Sequence, residues 1–143
     1  MIDSFSGEYS FLSNFYAVPP FLALDDGIQY PTVEHYFQAH KALDLDVRAL
    51  VAAARTAAQA KSLGRSLRLR PDWEGVKLDV MRYALAHKFA ERTFLAQQLC
   101  QTGDAYLREG NYWGDRYWGF SQGQGQNWLG HLLMARRAEL VST

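Results

Sequence analysis

Apolar and polar positions alternate along this chain in three distinct ways. In residues 1–31 the rings of Phe5, Tyr9, Phe11 and Phe15 recur without helical spacing. Pro19-Pro20 blocks a helix, and Asp25-Asp26-Gly27 is a turn signal. The segments on either side of that turn, PFLAL and GIQYP, predict a hairpin. Residues 32–101 read as helices. Thr32 stands where a cap is needed for a helix beginning near Val33. Ala-rich stretches predict helices over 47–55 and 56–65, the second broken near Gly64. Pro71 sits where the first turn of a helix tolerates it. From there Trp73, Val76, Val80, Met81, Ala84, Leu85 and Phe89 recur every three or four residues, the apolar face of one long helix. Thr93 is placed to cap a short helix that stops at Gly103. Residues 104–143 return to loop character until a last helix starts at Asn127, with Leu129, Leu132, Leu133 and Arg136 facing inward. The predicted fold is α+β: a compact, predominantly helical single domain over 1–143 with a small β-sheet.

Composition narrows the function classes. The 143 residues carry 15 Lys plus Arg and 15 Asp plus Glu, a formal net charge of zero. That balance, with 48% hydrophobic residues, argues against disorder. It gives no basic excess for a general nucleic-acid surface. No apolar run approaches the ~18 residues of a membrane span. The opening MIDSFSGEYS has no basic region followed by an apolar stretch, so a cytoplasmic protein is expected. One cysteine, Cys100, excludes an internal disulfide and is expected to be a buried, inert thiol. The 4 Trp, 8 Tyr and 8 Phe are uneven: nine fall in 5–37, seven in 106–128 and four between. They form either a core where the chain ends meet or the walls of a pocket for a flat ligand.

Several residues bear on chemistry. Glu34 lies among rings in YPTVEHYFQAHKA, in the first turn of its helix, where the dipole favours a carboxylate and burial would raise its pKa. His35 and His40 lack the i, i+4 spacing of a helical zinc pair, and no Cys/His cluster occurs, so no metal is expected. Lys41, Lys61, Arg65, Arg68 and Arg70 form either a solvated face or, in part, a phosphate site. Residues 109–119, EGNYWGDRYWG, join Glu109, Asn111 and Asp115 to four large rings. This suits a site that stacks a planar group beside a carboxylate, or a core loop in which Asp115 caps a turn. Gly123-Gln-Gly-Gln-Asn127 runs into the last helix, offering either backbone N–H groups to an anion or Asn127 as an N-cap.

Taken in order, FLSNFY, YPTVEHYFQAHKA, AKSLGR, DW…VM…KF, TGDAYLREGN, WGDRYWG and GQNWLGHLLMARR resemble the NADAR family, the YbiA-like N-glycosidases. The resemblance runs from about Phe5 to Arg137. It implies a helix-rich α+β fold and hydrolysis of N-glycosidic bonds without a cofactor. One branch of the family cleaves phosphoribosylamino-pyrimidine intermediates of riboflavin biosynthesis, releasing ribose 5-phosphate. Another removes ADP-ribose from guanine in DNA, reversing a toxin's modification. A third reading is a non-catalytic module that binds ADP-ribose or a nucleotide. Carried onto this chain, the resemblance implies Glu34 and Asp115 as catalytic carboxylates facing one cleft. Trp113 and Trp118 become stacking surfaces, and Lys41 a phosphate contact. Asn14 and Asn111 become contacts to sugar or base, with Glu109 and Asn127 as further binding residues. The expected partner is a small phosphorylated, nucleotide-like substrate; ADP-ribosylated DNA is the alternative, disfavoured by zero net charge.

Overall fold

Side-chain caps open helices at Thr32 and Thr93, where the sequence places them. In the computed structural model, which describes residues 1–18, 22–23 and 26–142, Thr32 accepts from the His35 N–H and opens α1 (Val33–Ala39). Asp44 accepts from the amides of Asp46 and Val47 and opens α2 (Leu45–Ala52), two residues earlier than the Ala-rich pattern marks. Thr56 caps α3 (Ala57–Arg65), and Thr93 caps α5 (Phe94–Gln101). Between them α4 spans Trp73–Lys88, and α6 spans Trp128–Val141. Pro71 precedes α4 instead of lying in its first turn. The break expected at Gly64 does not occur, because α3 continues through it to Arg65. No helix is long and apolar enough to cross a membrane among the described residues.

The chain divides into two compact units. One comprises Asn14–Lys88 and is built around α1. All seven residues of α1 are buried, and α2, α3, α4 and the hairpin strand before it pack against it. That hairpin pairs β1 (Leu22–Ala23) antiparallel with β2 (Gln29–Tyr30). Pro19-Pro20 and Asp25 lie outside the described residues. On α4 the apolar face is as predicted, with Trp73, Met81, Ala84 and Leu85 buried and Val76 and Val80 half-buried. Phe15 is 45% exposed.

The other unit joins the two chain ends, Met1–Ser13 and Phe89–Thr143. Ile2 donates to the Tyr106 carbonyl at 2.9 Å and accepts from the Arg108 N–H at 2.9 Å. A 3-10 helix (Gly7–Leu12), α5 and α6 supply its core, with Phe11, Leu12, Leu99 and Leu133 buried. Two-residue strands β3 (Gly110–Asn111) and β4 (Phe120–Ser121) pair in parallel. On α6 Arg136, placed inward by the sequence, is half-buried and donates to the Phe89 carbonyl at 3.1 Å, and Arg137, 8% exposed, is drawn in as well. Arg137 donates to Thr102 Oγ1 at 2.8 Å, which satisfies a guanidinium drawn into the core. Cys100 is half-buried, more open than expected.

Candidate active site

A fully buried helix is ordinarily apolar all round. Helix α1 is not: VEHYFQA buries Glu34, His35 and Gln38. Buried polar groups need partners, and each partner here says what the residue does. His35 Nε2 faces the Ala54 carbonyl at 3.0 Å, so this nitrogen carries the proton. Its Nδ1 then accepts from the Thr32 hydroxyl at 2.7 Å. Burial holds His35 below its ordinary pKa, which favours this neutral, structural form. His40 ends α1 at its C-cap, beside Asp26 at 3.4 Å, with Tyr30 donating to the same Asp26 oxygen at 2.7 Å.

Glu34, Gln38 and Lys41 lie at i, i+4 and i+7, one stripe along and just beyond α1. Glu34 is 7% exposed and Gln38 is 5% exposed. Gln38 Nε2 donates to Glu34 Oε1 at 2.8 Å. The Glu34 N–H donates to the Asn14 carbonyl at 3.0 Å, which ties the LSNFY loop to the first turn of the helix. Asn14 is itself buried; its Nδ2 meets the Met81 sulfur at 3.6 Å, and its Oδ1 has no hydrogen-bond partner among the described residues. Lys41 is near enough to Glu34, Arg65 and Lys61 for all three to act on it. Burial lowers its pKa most, the Glu34 carboxylate opposes that, and the two cations add to it. This unit therefore holds a buried carboxylate with a cluster of three cations nearby.

Lys88 is the residue the sequence reading missed. It ends α4 at i+4 from Ala84 and i+7 from Met81, so it continues the buried apolar face. Its side chain is 1% exposed, and burial brings its pKa down to about 7. Its ammonium stands 5.6 Å from the Tyr16 ring centroid. The signal was present in the chain: a lysine on an otherwise apolar helical face.

The 109–127 loop forms a second hydrogen-bonded cluster, in the other unit. Asn111 Nδ2 donates to Glu109 Oε2 at 2.8 Å and to the Asp115 carbonyl at 3.0 Å. Asp115 Oδ1 accepts from the N–H groups of Tyr117 at 3.1 Å and Trp118 at 2.9 Å, closing the turn. Asn127 adopts the left-handed region (φ 54°) and gives α6 no side-chain cap. Its Oδ1 accepts from the Glu109 N–H, and its Nδ2 donates to the Leu107 carbonyl, both at 2.9 Å. The amides at the start of α6 are not offered to an anion as the glycine-rich approach implied. Asn127, Trp128 and Leu129 donate to the carbonyls of Gly119, Tyr117 and Trp118. Trp113 is 53% exposed, and Trp118 is half-buried with its ring edge-on to Tyr117. No three His, Cys, Asp or Glu gather as metal ligands would, among the described residues.

The NADAR domain profile matches residues 3–141, which takes in the α1 stripe and the 109–127 loop alike. The chain belongs to the NADAR family. Among its NADAR relatives, N-glycosidase YbiA of Escherichia coli is 42% identical over 141 residues, spanning 96% of this chain and 86% of that protein. The riboflavin biosynthesis protein VVA0006 of Vibrio vulnificus is 40% identical over 136 residues, 93% of this chain. There the match spans only 36% of the longer protein, and in the chloroplastic riboflavin biosynthesis protein PYRR of Zea mays only 21%. The NMR structure of Escherichia coli YbiA aligns with a TM-score of 0.83 and 39% identity, covering 99% of this chain and 88% of that one. The helix-rich α+β fold expected of a NADAR protein is thus the fold found.

Proposed function

We propose that this chain is an N-glycosidase that hydrolyses phosphoribosylamino-pyrimidine intermediates of riboflavin biosynthesis and releases ribose 5-phosphate. The observation that carries the reading is the α1 stripe: buried Glu34 held by Gln38 and within electrostatic reach of Lys41, on which Lys61 and Arg65 act in turn. Breaking the bond builds positive charge on the anomeric carbon, and a fixed carboxylate stabilises that charge and takes a proton from the attacking water. The cations suit the phosphate at the other end of the sugar. Asp115 is the second carboxylate of the reading, with Trp113 and Trp118 stacking the pyrimidine. Asn14, Asn111, Glu109 and Asn127 contact or frame the sugar and base. The names of the relatives support both the bond class and the pathway.

The test incubates the purified chain with the two early pyrimidine intermediates and assays ribose 5-phosphate. Release is expected, with Glu34→Gln lowering kcat on the order of a hundredfold or more. No release at high enzyme concentration overturns the reading. Release of ADP-ribose from guanine-modified DNA in its place would transfer the chain to the family's other branch.

A further inference from the structure

We propose that Gly64 and Gln38 form a positioning pair that sets the direction of the Glu34 carboxylate; the catalytic part of this inference rests on the N-glycosidase reading above. Gly64 lies inside α3, where a glycine weakens the helix. Its backbone does not require one, since it is absent from the positive-φ glycines. What it supplies is room. A methyl built on Gly64 would overlap Gln38 Oε1 and stand 2.6 Å from its Cδ and 3.0 Å from its Cβ. The amide head of Gln38 therefore occupies the space the missing side chain leaves.

This seat decides which way the amide faces. Gln38 Oε1 is buried without a hydrogen-bond partner among the described residues, and it fills the position that a side chain at Gly64 would take. The opposite end, Nε2, donates to Glu34 Oε1 at 2.8 Å. Rotating the amide by half a turn would set its oxygen against the carboxylate and its N–H groups against the glycine. Both contacts would be repulsive, so Glu34 and Gly64 select the same orientation. Gln38, 5% exposed and confined by α3, then works as a fixed donor that stops the carboxylate rotating. A carboxylate held before substrate arrives needs no reorganisation in the transition state. Gly64 and Gln38 act through Glu34 and are positioning residues.

The test is a double-mutant cycle on wild type, Gly64→Ala, Gln38→Ala and the double variant. For ribose 5-phosphate release, Gly64→Ala should lower kcat on the order of tenfold to a hundredfold with KM little changed. In the Gln38→Ala background the same change should cost far less, since the amide is gone and only the 3.0 Å contact with the Cβ of residue 38 remains. Thermal unfolding should follow suit: Gly64→Ala lowers Tm in wild type and lowers it much less beside Gln38→Ala, where the gain in helix propensity offsets the remaining contact with Cβ. A third readout needs no turnover: the Gln38 side-chain amide resonance should move in Glu34→Gln and in Gly64→Ala. Equal losses of Tm from Gly64→Ala in both backgrounds, or a Gln38 resonance indifferent to both changes, overturn the pair. If wild type releases nothing from the pyrimidines, the proposed function falls, while the resonance and Tm arms still decide whether the pair exists.

Discussion

Lys88 ties the pH dependence of stability to one side chain. Its pKa falls from an ordinary 10.5 to about 7 because the side chain is fully buried. Above pH 10.5 it is neutral folded and unfolded, so burial carries no charge penalty. As pH falls toward 7 the unfolded chain takes up the proton first, and the folded state loses stability until its own Lys88 is protonated. At about 1.36 kcal/mol per pH unit, the fall from 10.5 to about 7 amounts to about 5 kcal/mol over the whole window. Lys88→Met keeps the length of the side chain and removes the charge. The experiment is urea unfolding of wild type and Lys88→Met from pH 7 to pH 10. The other titrating groups are common to both proteins and largely cancel in the difference. The variant should be the more stable at pH 7, and its advantage should shrink by about 4 kcal/mol by pH 10. Two stability curves that stay parallel would refute the argument, because Lys88 would then keep its proton when folded.

Three further outcomes follow from the site geometry. Asn127→Ala removes an acceptor for Glu109 and a donor to Leu107 and leaves an alanine at positive φ; it should cost about 2–4 kcal/mol, measured by denaturant unfolding. Asp115→Asn keeps an oxygen for the Tyr117 and Trp118 amides while Asp115→Ala does not. The Asn variant should therefore match wild type in Tm, the Ala variant should fall below it, and a catalytic carboxylate would show as loss of kcat in both. Joint Lys61→Ala and Arg65→Ala should raise KM for a phosphorylated substrate and flatten the salt dependence of kcat/KM, with kcat little affected.

Local signals in the sequence located most of the helices. A threonine stands before each of α1, α3 and α5 and caps it, because a cap acts within three residues of its own position. The period of apolar residues placed the buried face of α4, and the run of family motifs identified the fold. Glu34 was legible too, as an acid among rings in a first turn. Less was legible where the outcome depends on what packs against a residue. Gly64 reads as a helix break, yet α3 runs through it, because the Gln38 amide fills the space a side chain would take. Arg137 is drawn in beside half-buried Arg136 because Thr102 Oγ1 is there to accept its hydrogen bond. The glycines before α6 read as either an anion site or the approach to an N-cap at Asn127, but the carbonyls of 117–119 come back to meet those amides. Lys88 is the sharpest case. The sequence by itself placed a lysine on an apolar stripe. Only the packing of the unit around α4 removed that lysine from water, and desolvation is what brings its proton into the neutral range.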